Sequence, residues 1–280
     1  MKWEDERRSD NVEDRRGMPI SRGALGGGIG TLIIVLAALF LGVDPTALLT
    51  QMPQNQVQAP ASKPPAHDKM AEFVSVVLAD TEDVWKDIFR RSGKTYREPK
   101  LVLYSGAVQS ACGFAESAMG PFYCPQDEKV YIDLQFYDEL QRRFKAPGDF
   151  AQAYVIAHEI GHHVQKLLGI TDRVHTMQGR ISQSEYNRLS VRLELQADCF
   201  AGIWAQQADR MKKIVEPGDF EEALGAASAV GDDRLQKQAR GYVVPDSFTH
   251  GSSEQRMRWF RKGYDAGQVS QCNTFEGQAL

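Results

Sequence analysis

Residues 153–165 read AYVIAHEIGHHVQ, a run that is strongly apolar and carries three histidines and one acid. Pro147, Gly148, Asp149 and Phe150 form a helix start signal just upstream, with Asp149 as the expected N-cap and Gln152 in the capping-box position. The helix is predicted to run to about Leu168 and stop at Gly169. On such a helix His158 and His162 stand four apart, so both imidazoles project from one face and can chelate one metal ion. Glu159 lies beside them and can reach a water on that metal as general base. The flanks are too apolar for an ordinary solvated helix. Gly161 costs ~1 kcal/mol relative to Ala inside a helix, which implies that something packs closely against it.

A catalytic zinc needs three protein ligands and one open position. His163 follows His162 directly and points about 100° away around the helix, so it does not share the metal. His175 does not meet the spacing of a third ligand in the longer histidine motif. Glu194 is the better candidate: it heads ELQAD (residues 194–198) on a helix predicted from about Ser184 to Lys212. Asp198 lies one turn on, and Leu193, Ala197, Ala201 and Trp204 supply the packing stripe. An Asp at that place can hold a ligand histidine by its second ring nitrogen.

Outward from these helices the chain divides by composition. It has 280 residues, is 42% hydrophobic and 25% charged, and carries a formal net charge of -4, which fits a globular protein and lacks the basic stripe of a nucleic-acid binder. Residues 24–43, ALGGGIGTLIIVLAALFLGV, contain no charge and no proline, and at ~1.5 Å per residue they match the thickness of a bilayer core. A cleaved signal peptide would have a shorter apolar core, and a buried helix in water would not carry three consecutive glycines. The expectation is a single transmembrane helix at 24–43. Lys2, Arg7, Arg8, Arg15, Arg16 and Arg22 precede it, so the segment 1–23 is expected in the cytoplasm and the bulk of the chain outside. Residues 44–68, with five prolines among Gln, Ala and Ser, read as an extended linker, and the folded domain is expected over 69–280.

Outside the cytoplasm four cysteines can pair, and four allow three connectivities. Cys112 and Cys124 bracket a stretch rich in Gly and Pro that reads as a stapled turn, and pairing them would leave Cys199 with Cys272. Four free buried thiols are the alternative. No CxxC is present, which argues against a cysteine zinc site. Within the domain, MAEFVSVVLADTEDVWKDIF (residues 70–89) has helical spacing, and residues 100–106 and 128–133 look like strands. A second start signal at Pro217, Gly218 and Asp219, with Glu222 at the matching position, opens a helix that ends near Gly231. Strands followed by helices suggest an α+β domain.

These motifs carry a family resemblance. The pairing of HEIGH with ELQAD resembles the gluzincin branch of zinc peptidases, in which a Glu is the third ligand. ACGFAESAMGPFYCPQDEKVYIDL, HEIGHHVQ, ELQADCFAG and THGSSEQR together resemble the neutral zinc metallopeptidase family of bacterial membrane proteins, over nearly the whole chain. The resemblance implies a zincin-like fold, one Zn2+ per chain on His158, His162 and Glu194, Glu159 as catalytic base, and a place in the bacterial inner membrane with the catalytic domain in the periplasm.

A zinc peptidase also needs a donor for the oxyanion of its tetrahedral intermediate. His250, in the loop THGSSEQR, is the candidate, with Arg256 and Tyr242 behind it; a loop histidine is more commonly an ordinary surface residue. The strand around Val130, Tyr131 and Ile132 is read either as an edge that pairs with an extended peptide or as an ordinary buried strand. The expected partner is a protein or peptide substrate. A non-catalytic envelope scaffold retaining a zinc site, and a zinc hydrolase acting on a non-protein amide, are the competing readings.

Overall fold

The computed structural model describes residues 1–18 and 68–276. The run 24–43, residues 44–67 of the linker and the last four residues lie outside the described residues. Among those described, no helix is long and apolar enough to cross a membrane.

A four-stranded sheet underlies the site helices. Its order is β1 (Val12–Asp14), β2 (Lys100–Tyr104), β6 (Lys129–Asp133), β5 (Phe122–Cys124), with β1, β2 and β6 parallel and β5 antiparallel to β6. A separate hairpin pairs β3 (Ala107–Ser110) with β4 (Gly113–Glu116). Strand alternation divides the side chains: Leu101, Leu103, Val130 and Ile132 enter the main core beneath the helices, while Val102, Tyr104 and Tyr131 join Val108, Ala115 and Cys124 in a smaller core. β6 is therefore an interior strand, because β2 and β5 take both its edges. Of the two readings of Val130–Ile132, the ordinary buried strand is the one observed, and among the described residues β5 forms the sheet edge.

Helices make up most of the rest. α1 (Lys69–Arg91) precedes the sheet; its N-cap Asp68 accepts from the amides of Met70 and Ala71 at 3.0 and 3.1 Å. After β6 come α2 (Gln135–Arg142), α3 (Asp149–Leu167), α4 (Ile170–His175), α5 (Gln183–Lys212), α6 (Asp219–Ala229), α7 (Asp232–Arg240) and α8 (Ser253–Ala266). Ser182 and Glu185 close a capping box on α5, and Gly169 ends α3 in the left-handed region with φ 71°. Asp149 is not the cap of α3. It is the first helical residue after Gly148, and the orphan Phe150 amide donates instead to Glu222 of α6 at 3.1 Å. Asp149 is engaged elsewhere, accepting from the α-amino group of Met1 at 2.7 Å.

Residues Met1–Arg15 belong to the same compact unit as the helices and sheet. The arm does more than lie on the surface: β1 pairs with β2, and Met1 and Ser9 are buried.

Both predicted disulfide partners are joined. Cys112–Cys124 closes the segment between β4 and β5 with a Cα–Cα distance of 5.8 Å, and Cys199–Cys272 ties α5 to the turn Val269–Cys272 at 5.7 Å. Beside the second bond α5 and α8 cross at backbone contact. A Cβ placed on Gly263 would lie 1.9 Å from the Cys199 carbonyl oxygen, and one on Gly202 would lie 2.1 Å from that of Phe260. Only glycine permits this approach.

Gly202→Ala is accordingly expected to lower the urea unfolding midpoint, through overpacking worth ~1–3 kcal/mol. Gly225→Ala is the control, because an added Cβ there meets nothing within 4 Å; its midpoint should hold or rise. Equal midpoints for the two variants would contradict the close crossing.

Candidate metal centre

α3 and α5 cross at Gly161. An added Cβ on that glycine would sit 2.9 Å from the Ala197 carbonyl oxygen and 3.0 Å from its Cα, so backbone meets backbone where the sequence implied a close neighbour. The crossing brings Glu194, one turn before Ala197, against the histidine face of α3. His158 Nε2 lies 3.2 Å from one Glu194 oxygen and His162 Nε2 lies 3.4 Å from the other. One ligand atom from each of His158, His162 and Glu194 falls within 4.8 Å of the others.

The remaining ring nitrogens are each spoken for, which leaves both Nε2 atoms for a metal. Gln165, three residues after His162, donates from Nε2 to the Leu193 carbonyl at 2.7 Å, which turns its Oε1 toward His162 Nδ1 at 2.9 Å. His162 Nδ1 therefore carries the proton. His158 Nδ1 faces Asp198 Oδ1 at 2.8 Å and is fixed in the same way. The donor set thus fits zinc: two neutral imidazoles and one carboxylate converge on one point. Without a metal, burial opposes the His162 charge but the adjacent Glu194 outweighs it and lifts the imidazole to about 9. Burial would raise Glu194, yet the His162 and His250 imidazoles hold it well below the usual carboxylate range.

Asp198 is the centre of a second, fully buried cluster. Arg256 of α8 grips it with two parallel bonds, Nε to Oδ2 at 2.8 Å and Nη2 to Oδ1 at 2.9 Å. Tyr154 donates its hydroxyl to Asp198 at 2.5 Å, and Arg256 Nη2 reaches the same hydroxyl at 3.2 Å. Burial would raise the Asp198 carboxyl, but the Arg256 guanidinium and His158 hold it at about 2. Three elements are joined here: α3 through Tyr154 and His158, α5 through Asp198, α8 through Arg256.

The other predicted residues separate cleanly. His163 points away from the centre into the core, between the Tyr123 hydroxyl at 3.0 Å and the Arg97 carbonyl at 2.6 Å. His175 borders the cavity without joining the ligand cluster. Glu159 and His250 both line the cavity of about 840 Å³ that opens over the centre, together with Phe122, Phe136, Val155 and Tyr186. His250 is half exposed and is held by Asp232: Oδ2 accepts from the amides of Thr249, His250 and Gly251 at 2.7, 2.6 and 3.1 Å, and Oδ1 lies 3.3 Å from His250 Nδ1. Arg256 lines the same cavity as His250, and its hydrogen bonds go to Asp198. Tyr242 is exposed.

Sequence reading missed Tyr154, Gln165 and Asp232. The first two carry a weak signal, since they lie four residues before His158 and three after His162 on the same helix. Asp232 carries none that links it to a loop 18 residues away.

The chain matches the family described as "Putative neutral zinc metallopeptidase" over residues 1–275. It is 55% identical over 285 residues to the uncharacterized protein YpfJ of Escherichia coli K12, covering 98% of this chain and 99% of that one. It is 40% identical over 266 residues to the uncharacterized proteins Mb2605 of Mycobacterium bovis and Rv2575 of Mycobacterium tuberculosis, covering 87% of this chain and 86% of each. No solved structure gives a significant match. With the match running from the arm to beyond the last helix, this chain belongs to the neutral zinc metallopeptidase family.

Proposed function

We propose that the protein is a zinc-dependent endopeptidase with a zincin-like active site, hydrolysing peptide bonds of proteins or peptides in the cell envelope. The observation that carries this reading is the convergence of His158 Nε2, His162 Nε2 and the Glu194 carboxylate at the floor of an open cavity. Three protein ligands facing a cavity suit a catalytic zinc, whereas a structural one is closed by four. The two disulfides support an oxidising compartment for the domain.

A zinc ion on these ligands supplies Lewis acidity for the scissile carbonyl and for water. Glu159, next to His158 and on the cavity wall, takes the proton of the attacking water and passes it to the leaving amine. His250, aimed by Asp232, donates to the oxyanion. Asp198 fixes the His158 tautomer, and Arg256 keeps Asp198 ionised although no solvent reaches it. The substrate main chain would pair with the edge of β5 that no described strand flanks, where Phe122 and Tyr123 border the cavity.

Glu159→Gln is expected to bind one zinc per chain and to lose cleavage of an unfolded protein substrate by ~10²–10⁴-fold. Equal turnover by the variant and the parent protein rules out the catalytic role. His250→Ala should lower kcat by ~10²–10³-fold with KM little changed, because the bond it removes forms only in the transition state; a rise in KM alone would assign His250 to binding. For Arg256→Ala, zinc affinity measured by chelator competition should fall by ~10–100-fold, with Arg256→Lys intermediate because it keeps the charge and loses the paired bonds. Unchanged affinity in both would remove Arg256 from the support of the site.

A further inference from the structure

The arm at residues 1–15 is built into the domain. β1 lies parallel to β2 with Val12 opposite Leu101, and the Leu101 amide donates to the Asn11 carbonyl at 2.9 Å while the Arg15 amide donates to that of Leu103 at 2.8 Å. The arm also supplies the partners of a buried acid. Glu82 of α1 is 1% exposed. It receives Arg7 Nη2 at 2.9 Å, Ser9 Oγ at 2.5 Å and Asn11 Nδ2 at 2.9 Å. A buried carboxylate stripped of such partners is strongly unfavourable, so α1 and the arm fold together.

A single crossing at residues 24–43 would set the arm and the domain on opposite faces of a hydrocarbon core ~30 Å thick. Paired strands stand ~4.8 Å apart. A second copy inserted in the same direction would place its own arm on the same wrong face. We propose that residues 1–15 and 68–276 occupy one compartment. This replaces the single crossing with a cytoplasmic N-terminus that the sequence suggested.

The charges that suggested that orientation have another explanation. Arg7 pairs with Glu82 and Asp83, Arg8 with Glu72, and Arg15 with Glu13. Residues 1–18 hold five Lys and Arg against six Asp and Glu. Arg7, Arg8 and Arg15 are thereby engaged by carboxylates of α1 and β1 within the folded domain.

The test uses the full chain with one added cysteine, Asp5→Cys in the arm or Arg180→Cys before α5; both positions are exposed. A membrane-impermeant maleimide is applied to spheroplasts before and after permeabilisation, with the parent protein as blank. Labelling of both variants without permeabilisation is the expected result. Labelling of both only after permeabilisation also supports the shared compartment, while overturning the envelope placement of the active site. Labelling of Arg180→Cys alone in sealed spheroplasts overturns the proposal.

Discussion

Where α3 passes α5, Gly161 on one helix faces the Ala197 backbone on the other, and the distance between the two axes is set by the absence of a side chain. That approach lets a short Glu194 side chain on α5 meet two imidazoles on α3. One more methyl group at Gly161 would push the helices apart and draw the carboxylate away from the nitrogens it must join. Each ligand is delivered by ordinary helical periodicity, and their meeting depends on the crossing.

Around this point the structure accepts the cost of buried charge by closing every polar contact. Asp198 is wholly buried, and its oxygens are taken by Arg256, Tyr154 and His158. Such a cluster is a poor source of stability compared with apolar packing, because desolvation offsets most of the attraction. What it provides is orientation. The guanidinium is planar and donates two parallel hydrogen bonds to Asp198, so the carboxylate cannot rotate, and neither can the imidazole it holds.

The candidate metal face was legible because it is local: HEIGH and ELQAD each lie within one turn or two of helix, where spacing alone decides which side chains share a face. Long-range partners were less so. Glu194 could be proposed only because Asp198 and the apolar stripe marked its helix as one that packs, and the approach at Gly161 was foreseen from the cost of that glycine. The cap of α3 was misread because Glu222, from another helix, does the work that local pattern assigned to Asp149. β5 escaped notice because three residues between Pro121 and Pro125 are too few to show alternation. The arm's place in the folded domain was not legible either. Basic residues ahead of an apolar run look the same in sequence whether they answer to a membrane potential or to carboxylates on α1.

The step from Asp198 to Cys199 joins two unlike functions in adjacent residues. One side chain supports the metal centre; the next is bonded to Cys272 near the end of the chain. Arg256 comes from the same late stretch, and Gln196 donates to the Cys272 carbonyl at 2.8 Å. A chain emerging from its ribosome therefore has His158, His162, Glu194 and Asp198 in hand by residue 198, yet lacks the Arg256 that fixes Asp198 until about 60 more have followed. The arrangement comes of age late: throughout most of the chain's synthesis the buried cluster around Asp198 is still open on one side.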